Sequence, residues 1–347
     1  MSVLEELEKS PMFQLSLASK ELFHTNFLYW LEMAEPVIFK NAMKGMGIEY
    51  NDPVTVKREW EHFDLAILKM DNNKIIEIVA IIENKVKSLP RLDQLDEYNK
   101  KIEKIKKDSA CKKILLSFSE PGFDTKKHGW EYVDYNKMAE IIQQEENNSS
   151  CQYHKALIED YCKMVKGLCS LKNEWIGTAF LSKKYNTILI SDDDQNARNL
   201  RINDLRHKLI YSKMLELLRE KMGNLVSNEL IKTGTAFTNS KGIVEVHITK
   251  NMSDYKVFGI QAQGLQYRRF VIKNELNIDD RVCKATILKS FPKNCLDVDP
   301  FKHDGKKEIG SYGNDFRYLY HRISDESTIE DVINQMVSDI EMVLNVK

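Results

Sequence analysis

A chain of 347 residues has room for two domains and a sizeable core, and 42% hydrophobic with 30% charged residues is ordinary for a soluble globular protein. Its 51 Lys and Arg nearly balance 52 Asp and Glu, and a net charge of −1 argues against indiscriminate coating of nucleic acid. There is no apolar run of about 18 residues, and Met1-Ser2-Val3-Leu4-Glu5-Glu6 lacks the pattern of a signal peptide, so no membrane contact and a cytoplasmic location are expected. The six cysteines, at 111, 151, 162, 169, 283 and 295, show no Cys-x-x-Cys spacing and read as reduced core thiols rather than zinc ligands or disulfides.

In chain order, Ser19 to Leu31 reads as a helix that buries Leu22, Phe23, Phe27 and Leu31 on the hairpin after it. Glu59 and Glu61 precede that hairpin and rank below Asp64 as site candidates. Phe63–Met70 and Ile75–Lys85 are rich in Ile, Val, Ala and Leu, and Asp71-Asn72-Asn73-Lys74 between them has turn chemistry. A turn symmetric about Asn72 and Asn73 sets Asp64 opposite Ile81, on one face with Glu83 and Lys85. A one-residue change of register would flip that face.

Ser88-Leu89-Pro90 then offers an N-cap and a first-turn proline, and Leu92, Leu95, Ile102 and Ile105 continue at helical spacing to about Lys107. Gln94 and Tyr98 are four apart and share a face of this helix. Two carboxylates, an ammonium, an amide and a phenol therefore converge. Asp64 and Glu83 supply hard oxygen ligands for Mg²⁺ or Mn²⁺, with the backbone carbonyl of Asn84 as a further ligand. Lys85 suits the activation of water and the offsetting of charge at phosphorus, while Gln94 and Tyr98 hold the scissile strand or Lys85. Charged groups behind Ile78-Val79-Ala80-Ile81-Ile82 are costly without partners, which sets this Glu-x-Lys apart from a solvated strand end.

Lysines 100, 101, 104, 106, 107, 112, 113, 126 and 127 cluster just after the site, where a phosphate backbone needs cations. Lys113–Phe118 and Trp130–Val133 read as strands and Asn136–Gln144 as a helix. Glu145–Ser150 reads as a polar linker. Helices follow at His154–Leu168 and Asp194–Met222, the latter with Arg198, Arg201, Arg206 and His207 on a mixed-charge face. From about Thr233 the chain alternates as strands at Val244–Ile248, Tyr255–Ile260, Tyr267–Ile272 and Phe316–Tyr320, and closes in an amphipathic helix, Thr328–Leu344. Tyr267, Arg268 and Arg269 read as an exposed cluster able to meet nucleic acid. The expected division is a core at 1–150, a helical extension packed on it at 151–224, and an α+β module at 225–347.

Asp64, Glu83-Asn84-Lys85 and Gln94-x-x-x-Tyr98 together resemble the PD-(D/E)XK phosphodiesterase superfamily, in particular its RecB-like branch. Lys20–Leu31 is similar to the first helix of a bacterial defence-associated group within it. The resemblance covers about residues 15 to 140, and Phe63 stands where the eponymous proline would be. It implies an α/β, restriction-endonuclease-like core, a mixed central sheet flanked by helices. It also implies a metal ligand from the first helix: His24 matches the branch's histidine, and Glu21 competes because other branches use glutamate. The expected function is a Mg²⁺-dependent nuclease acting on DNA, in defence against foreign nucleic acid. The alternative is a protein that keeps the fold without turnover and binds nucleic acid or another ligand; the complete set of Asp64, Glu83 and Lys85 favours the enzyme. A homo-oligomer is compatible with the sequence.

Overall fold

The computed structural model describes residues 3–9, 12–13, 21–51, 53–72, 74–86, 90–105, 110–189, 192–238, 241–249, 254–274, 278–291 and 309–345. Met1, Ser2, Ser19, Lys20, Asn73, Ser88, Leu89, Lys106, Lys107 and Cys295, named above, lie outside them. The chain divides into two compact units, Met1–Glu174 with Leu200–Leu205, and Trp175–Asn199 with Arg206–Lys347.

The first unit begins with helices α1 (Val3–Lys9), α2 (Glu21–Ala34) and α3 (Pro36–Gly45). A five-stranded mixed sheet follows in the spatial order β1-β2-β3-β4-β5, formed by Thr55–Trp60, Phe63–Asp71, Lys74–Lys85, Lys112–Ser117 and Glu131–Asp134. The first three strands are antiparallel neighbours, and β3-β4 and β4-β5 are parallel. Helix α4 (Leu92–Ile105) crosses over between β3 and β4, as a parallel pair requires. Its Leu95 and Ile102 pack on Ala66, Leu68, Ile81 and Leu115, which cover one face of the sheet. Helices α5 (Tyr135–Gln144) and α6 (Gln152–Ile176) complete the unit.

Charged Lys57-Arg58-Glu59 hides β1 from a search for apolar runs, yet this strand pairs with β2 through a two-residue turn. Both turn residues, Glu61 and His62, have positive φ, 52° and 67°, the twist that short hairpins favour. Glu59 and Glu61 are therefore exposed at a hairpin tip.

Asp71 faces Lys74 as a symmetric turn demands, but Asp64 does not lie opposite Ile81. Ladder shifts at Lys69/Met70 and Ile67/Leu68 leave Ile76 and Val79 of β3 as extra residues, so that Leu65 faces Ile82. Continued one step, this register sets Asp64 against Glu83. One bulge would turn the site face over; two restore it.

Glu145–Ser150 is tied down rather than a free linker. Buried Glu35 accepts hydrogen bonds from the Ser149 hydroxyl (2.9 Å), Ser150 N–H (2.9 Å) and His154 Nδ1 (2.8 Å). Burial alone would raise this carboxyl, but the bonds from Ser150, His154 and Ser149 outweigh it and hold it at about 2. α6 continues along the same unit, stacking Tyr161 on Phe27 of α2 at 3.5 Å and pairing Lys172 with Asp134 at 2.9 Å.

In the second unit the expected helix from Asp194 to Met222 is two helices. After α7 (Tyr185–Leu189) come α8 (Asp192–Asn199) and α9 (Asn203–Met222), with Arg201 at φ 58° in the break. Arg206 and His207 are buried, and Arg206 donates to the Ile188 carbonyl, so they do not form the expected surface face. A six-stranded antiparallel sheet follows, with spatial order β10-β11-β9-β8-β7-β6. Its strands are β6 (Ile231–Thr238), β7 (Lys241–Thr249), β8 (Tyr255–Gln263), β9 (Gln266–Lys273), β10 (Gly310–Tyr312) and β11 (Phe316–Arg322). Helices α10 (Asp280–Ser290) and α11 (Ile329–Asn345) share a core with α9 on one face of this sheet.

Tyr267 and Arg269, expected on the surface, point into that core at 0% and 1% exposure. Asp339 of α11 explains how. Arg269 Nε and Nη2 reach its two oxygens at 2.7 and 2.8 Å, and Tyr267 and Gln335 each donate to it at 2.8 Å. Arg268, half a pleat away, lies over the Tyr318 ring at 4.4 Å. Asp339→Ala would strand a buried guanidinium and should cost about 3–5 kcal/mol by denaturant unfolding. Pairing it with Arg269→Met should recover much of that loss, and a double variant no more stable than Asp339→Ala would refute the coupling.

Among the described residues no helix is long and apolar enough to cross a membrane. Cys111, Cys162, Cys169 and Cys283 are free thiols at partly or fully buried positions, whereas Cys151 is exposed.

Candidate active site

The ends of β2 and β3 bring Asp64 and Glu83 together, and α4 closes over them. Glu83 is 2% exposed, and its Oε1 is a hub: Lys85 Nζ lies at 2.5 Å, Gln94 Nε2 at 3.1 Å and the Tyr98 hydroxyl at 3.4 Å. Gln94 also donates to the Tyr98 hydroxyl at 2.9 Å, so the two α4 residues act as one clamp. The other oxygen, Glu83 Oε2, is buried, and its carboxyl faces only another carboxyl, Asp64, on that side. That is an expensive position for a carboxylate oxygen.

Asp64 Oδ2 accepts the backbone N–H of Asn84 at 2.7 Å. Burial raises the Asp64 carboxyl, the Asn84 N–H and Lys85 oppose the rise, and the charge of Glu21 adds to it. Burial, then the charge of Asp64, pushes Glu83 up to about 8 despite Lys85 beside it. The Tyr98 phenol rises to about 12 through burial and the Glu83 charge, so it remains a donor.

The other face of β3 carries Asn84, fully buried, whose amide donates to the Thr25 hydroxyl of α2. Glu21, one turn earlier on α2, accepts the Val86 N–H at 3.2 Å and thus reaches the end of β3. His24 is wholly buried, hydrogen-bonded through Nδ1 to the Tyr161 hydroxyl at 3.0 Å and edge-on to Tyr135. Phe27 and Leu31 are buried as expected, but Leu22 is 49% exposed.

Sequence reasoning did not find what fixes α4. Asn99 Oδ1 accepts from Lys113 Nζ at 2.8 Å and Trp130 Nε1 at 3.1 Å, and its amide donates to the His128 carbonyl at 3.0 Å. These bonds tie α4 to β4 and the segment before β5, and so set the rotation that aims Gln94 and Tyr98. No local signal marks Asn99. Thr25 was more accessible, lying four residues from Glu21 on a helix. Of the clustered lysines, Lys113 is spent on Asn99, Lys112 on Glu131 and Lys101 on Glu61, whereas Lys100, Lys104 and Lys126 are exposed.

The donor set fits a divalent cation: two hard carboxylates meet in a buried place and both are raised. Among the described residues no group of three or more His, Cys, Asp or Glu side chains is placed to hold an ion by itself. Mg²⁺ needs only one or two carboxylates plus water and phosphate oxygens.

Residues 12–163 match the family model of the PD-(D/E)XK nuclease superfamily. The matched segment contains the whole five-stranded sheet, α4 and every candidate site residue, and it suggests a nuclease with a nucleic-acid substrate. No curated protein and no solved structure matches the chain.

Proposed function

We propose that the first unit is a Mg²⁺- or Mn²⁺-dependent nuclease that hydrolyses phosphodiester bonds of DNA. The observation that carries this reading is the buried Glu83 carboxyl set against a second carboxyl, Asp64. Asp64, Glu83 and the Asn84 carbonyl would hold the ion. Of the two α2 candidates, Glu21 acts on Asp64 through its charge without forming a three-ligand group with Asp64 and Glu83, while the His24 ring is engaged with Tyr161 and Tyr135. When bound, the ion supplies Lewis acidity and lowers the pKa of its water. Lys85 would orient the attacking water and offset charge building on phosphorus, and Gln94 and Tyr98 hold the Glu83 carboxylate in place. The RecB-like branch is supported by Gln94 and Tyr98 on the helix after the Glu-x-Lys, and action in the cytoplasm against foreign DNA completes the reading.

The test is calorimetry with Mn²⁺ alongside incubation with plasmid, single-stranded DNA and RNA, with and without Mg²⁺. The wild type should bind the ion and cleave, and Asp64→Ala and Glu83→Ala should do neither. Full metal binding in either variant would overturn the shared site. A wild type that cleaves none of the three would leave the fold without the proposed turnover.

A further inference from the structure

A cleft of about 650 Å³ lies between α2 and β1. Leu22, Asn26 and Tyr29, at helical spacing, form one wall, and the stretch from Val56 to Glu61 forms the other. Arg58 lies over the Tyr29 ring, 4.3 Å from its centroid, and donates to Asn26. Leu22 is left half exposed at the rim.

The lining lacks a surplus of positive charge. Lys57 and Arg58 are balanced by Glu59 and Glu61, and Glu61 is itself paired with Lys101 at 3.4 Å. A row of phosphates would find little attraction in such a cleft. Tyr29 and the guanidinium over it give planar surfaces, Leu22 an apolar edge, and Asn26 an amide able to donate and accept. Those are complements of a neutral, planar heterocycle with hydrogen-bonding edges.

Both walls join the candidate active site in sequence, around the end of the sheet: Val56 and Arg58 pair with Ile67 and Leu65 on its α2 face, and Asp64 is the residue before Leu65. β1 turns through Glu61-His62 into Phe63-Asp64, and Leu22 follows Glu21, whose charge acts on Asp64. We infer that the cleft seats a nucleobase next to the scissile phosphate, so that the substrate strand is unpaired where it is cut. This rests on the nuclease reading of Asp64, Glu83 and Lys85. A base inside an intact duplex is stacked on both faces and could not enter.

The experiment measures fluorescence anisotropy of a short labelled oligothymidylate, the matching oligouridylate and a blunt DNA duplex, using Asp64→Asn protein to prevent turnover. Single strands should bind at least about tenfold more tightly than duplex, the order of one base stacked on a planar side chain. Arg58→Lys keeps the charge and removes the plane, and Tyr29→Ala removes the ring beneath it; each should abolish the preference. Helical circular dichroism checks folding, and if Tyr29→Ala fails to fold, Arg58→Lys and Leu22→Ala decide. The tighter of the two single strands identifies the sugar. Equal or tighter duplex binding, no binding at all, or a preference that survives these substitutions overturns the inference. Wild-type cleavage in Mg²⁺ keeps the two readings apart. Cleavage with an unaltered preference in the variants removes the base seat and leaves the nuclease. Absence of cleavage with a preference that depends on Arg58 and Tyr29 removes the nuclease and leaves the base seat.

Discussion

Glu83→Gln should abolish divalent-ion binding and cleavage, and it should also flatten the pH dependence of stability in the metal-free protein. The Glu83 carboxyl is pushed up to about 8 by burial and by Asp64. A raised carboxyl favours folding in its protonated form. Its contribution is full below the ordinary value of 4.5 and is lost as pH climbs through about 8. Thermal unfolding of wild-type protein without metal should therefore show stability falling across that window. Glutamine cannot ionise, so its variant should lack that component of the slope. Saturating Mn²⁺ should suppress it in the wild type, because an ion between Asp64 and Glu83 takes the place of the shared proton. Binding at pH 7 should then release about one proton per ion, visible as a dependence of calorimetric heat on the buffer's ionisation enthalpy. Identical slopes in wild type and variant, or heat independent of buffer, would refute the proton–metal exchange.

Lys85→Ala should lower the single-turnover cleavage rate about 100-fold or more, the scale of a lost acid-base or electrostatic group. Metal affinity should hold or tighten. Lys85 sits 2.5 Å from Glu83, and removing its charge leaves a more negative site for a cation. Mn²⁺ calorimetry and rapid-quench kinetics separate these effects. A variant that cleaves at the wild-type rate would remove Lys85 from the mechanism, and one that loses metal affinity would make it a structural support instead.

Much of this site was legible in the sequence because its parts are local. Asp64, Glu83, Lys85, Gln94 and Tyr98 fall within one hairpin and the helix after it, where periods of two and of about 3.6 residues fix which side chains share a face. What escaped was set at a distance. Tyr267 and Arg269 look like solvated sheet surface until Asp339, 70 residues on, supplies a buried counter-charge. The expected boundary after residue 150 failed to anticipate Ser149 and Ser150 closing on Glu35 from more than 100 positions away. The helix around Arg206 carries its apolar residues into a core that the strands complete only later in the chain. β1 was missed for another reason: an edge strand tolerates charge, and its one inward anchor, Val56, makes no pattern alone.

The paired bulges of β3 make the edge that carries the candidate site behave like a reading frame with a period of two. Deleting Val79 alone should bring Asn84 to the side where Glu83 now stands and send both Glu83 and Lys85 toward α2. Deleting Ile76 together with Val79 shortens the strand by one full pleat, about 6.8 Å, and returns every side chain to its own side. The hairpin tip can therefore lengthen or shorten in steps of two without disturbing the chemistry at its far end, while a change of one anywhere along it scrambles the site.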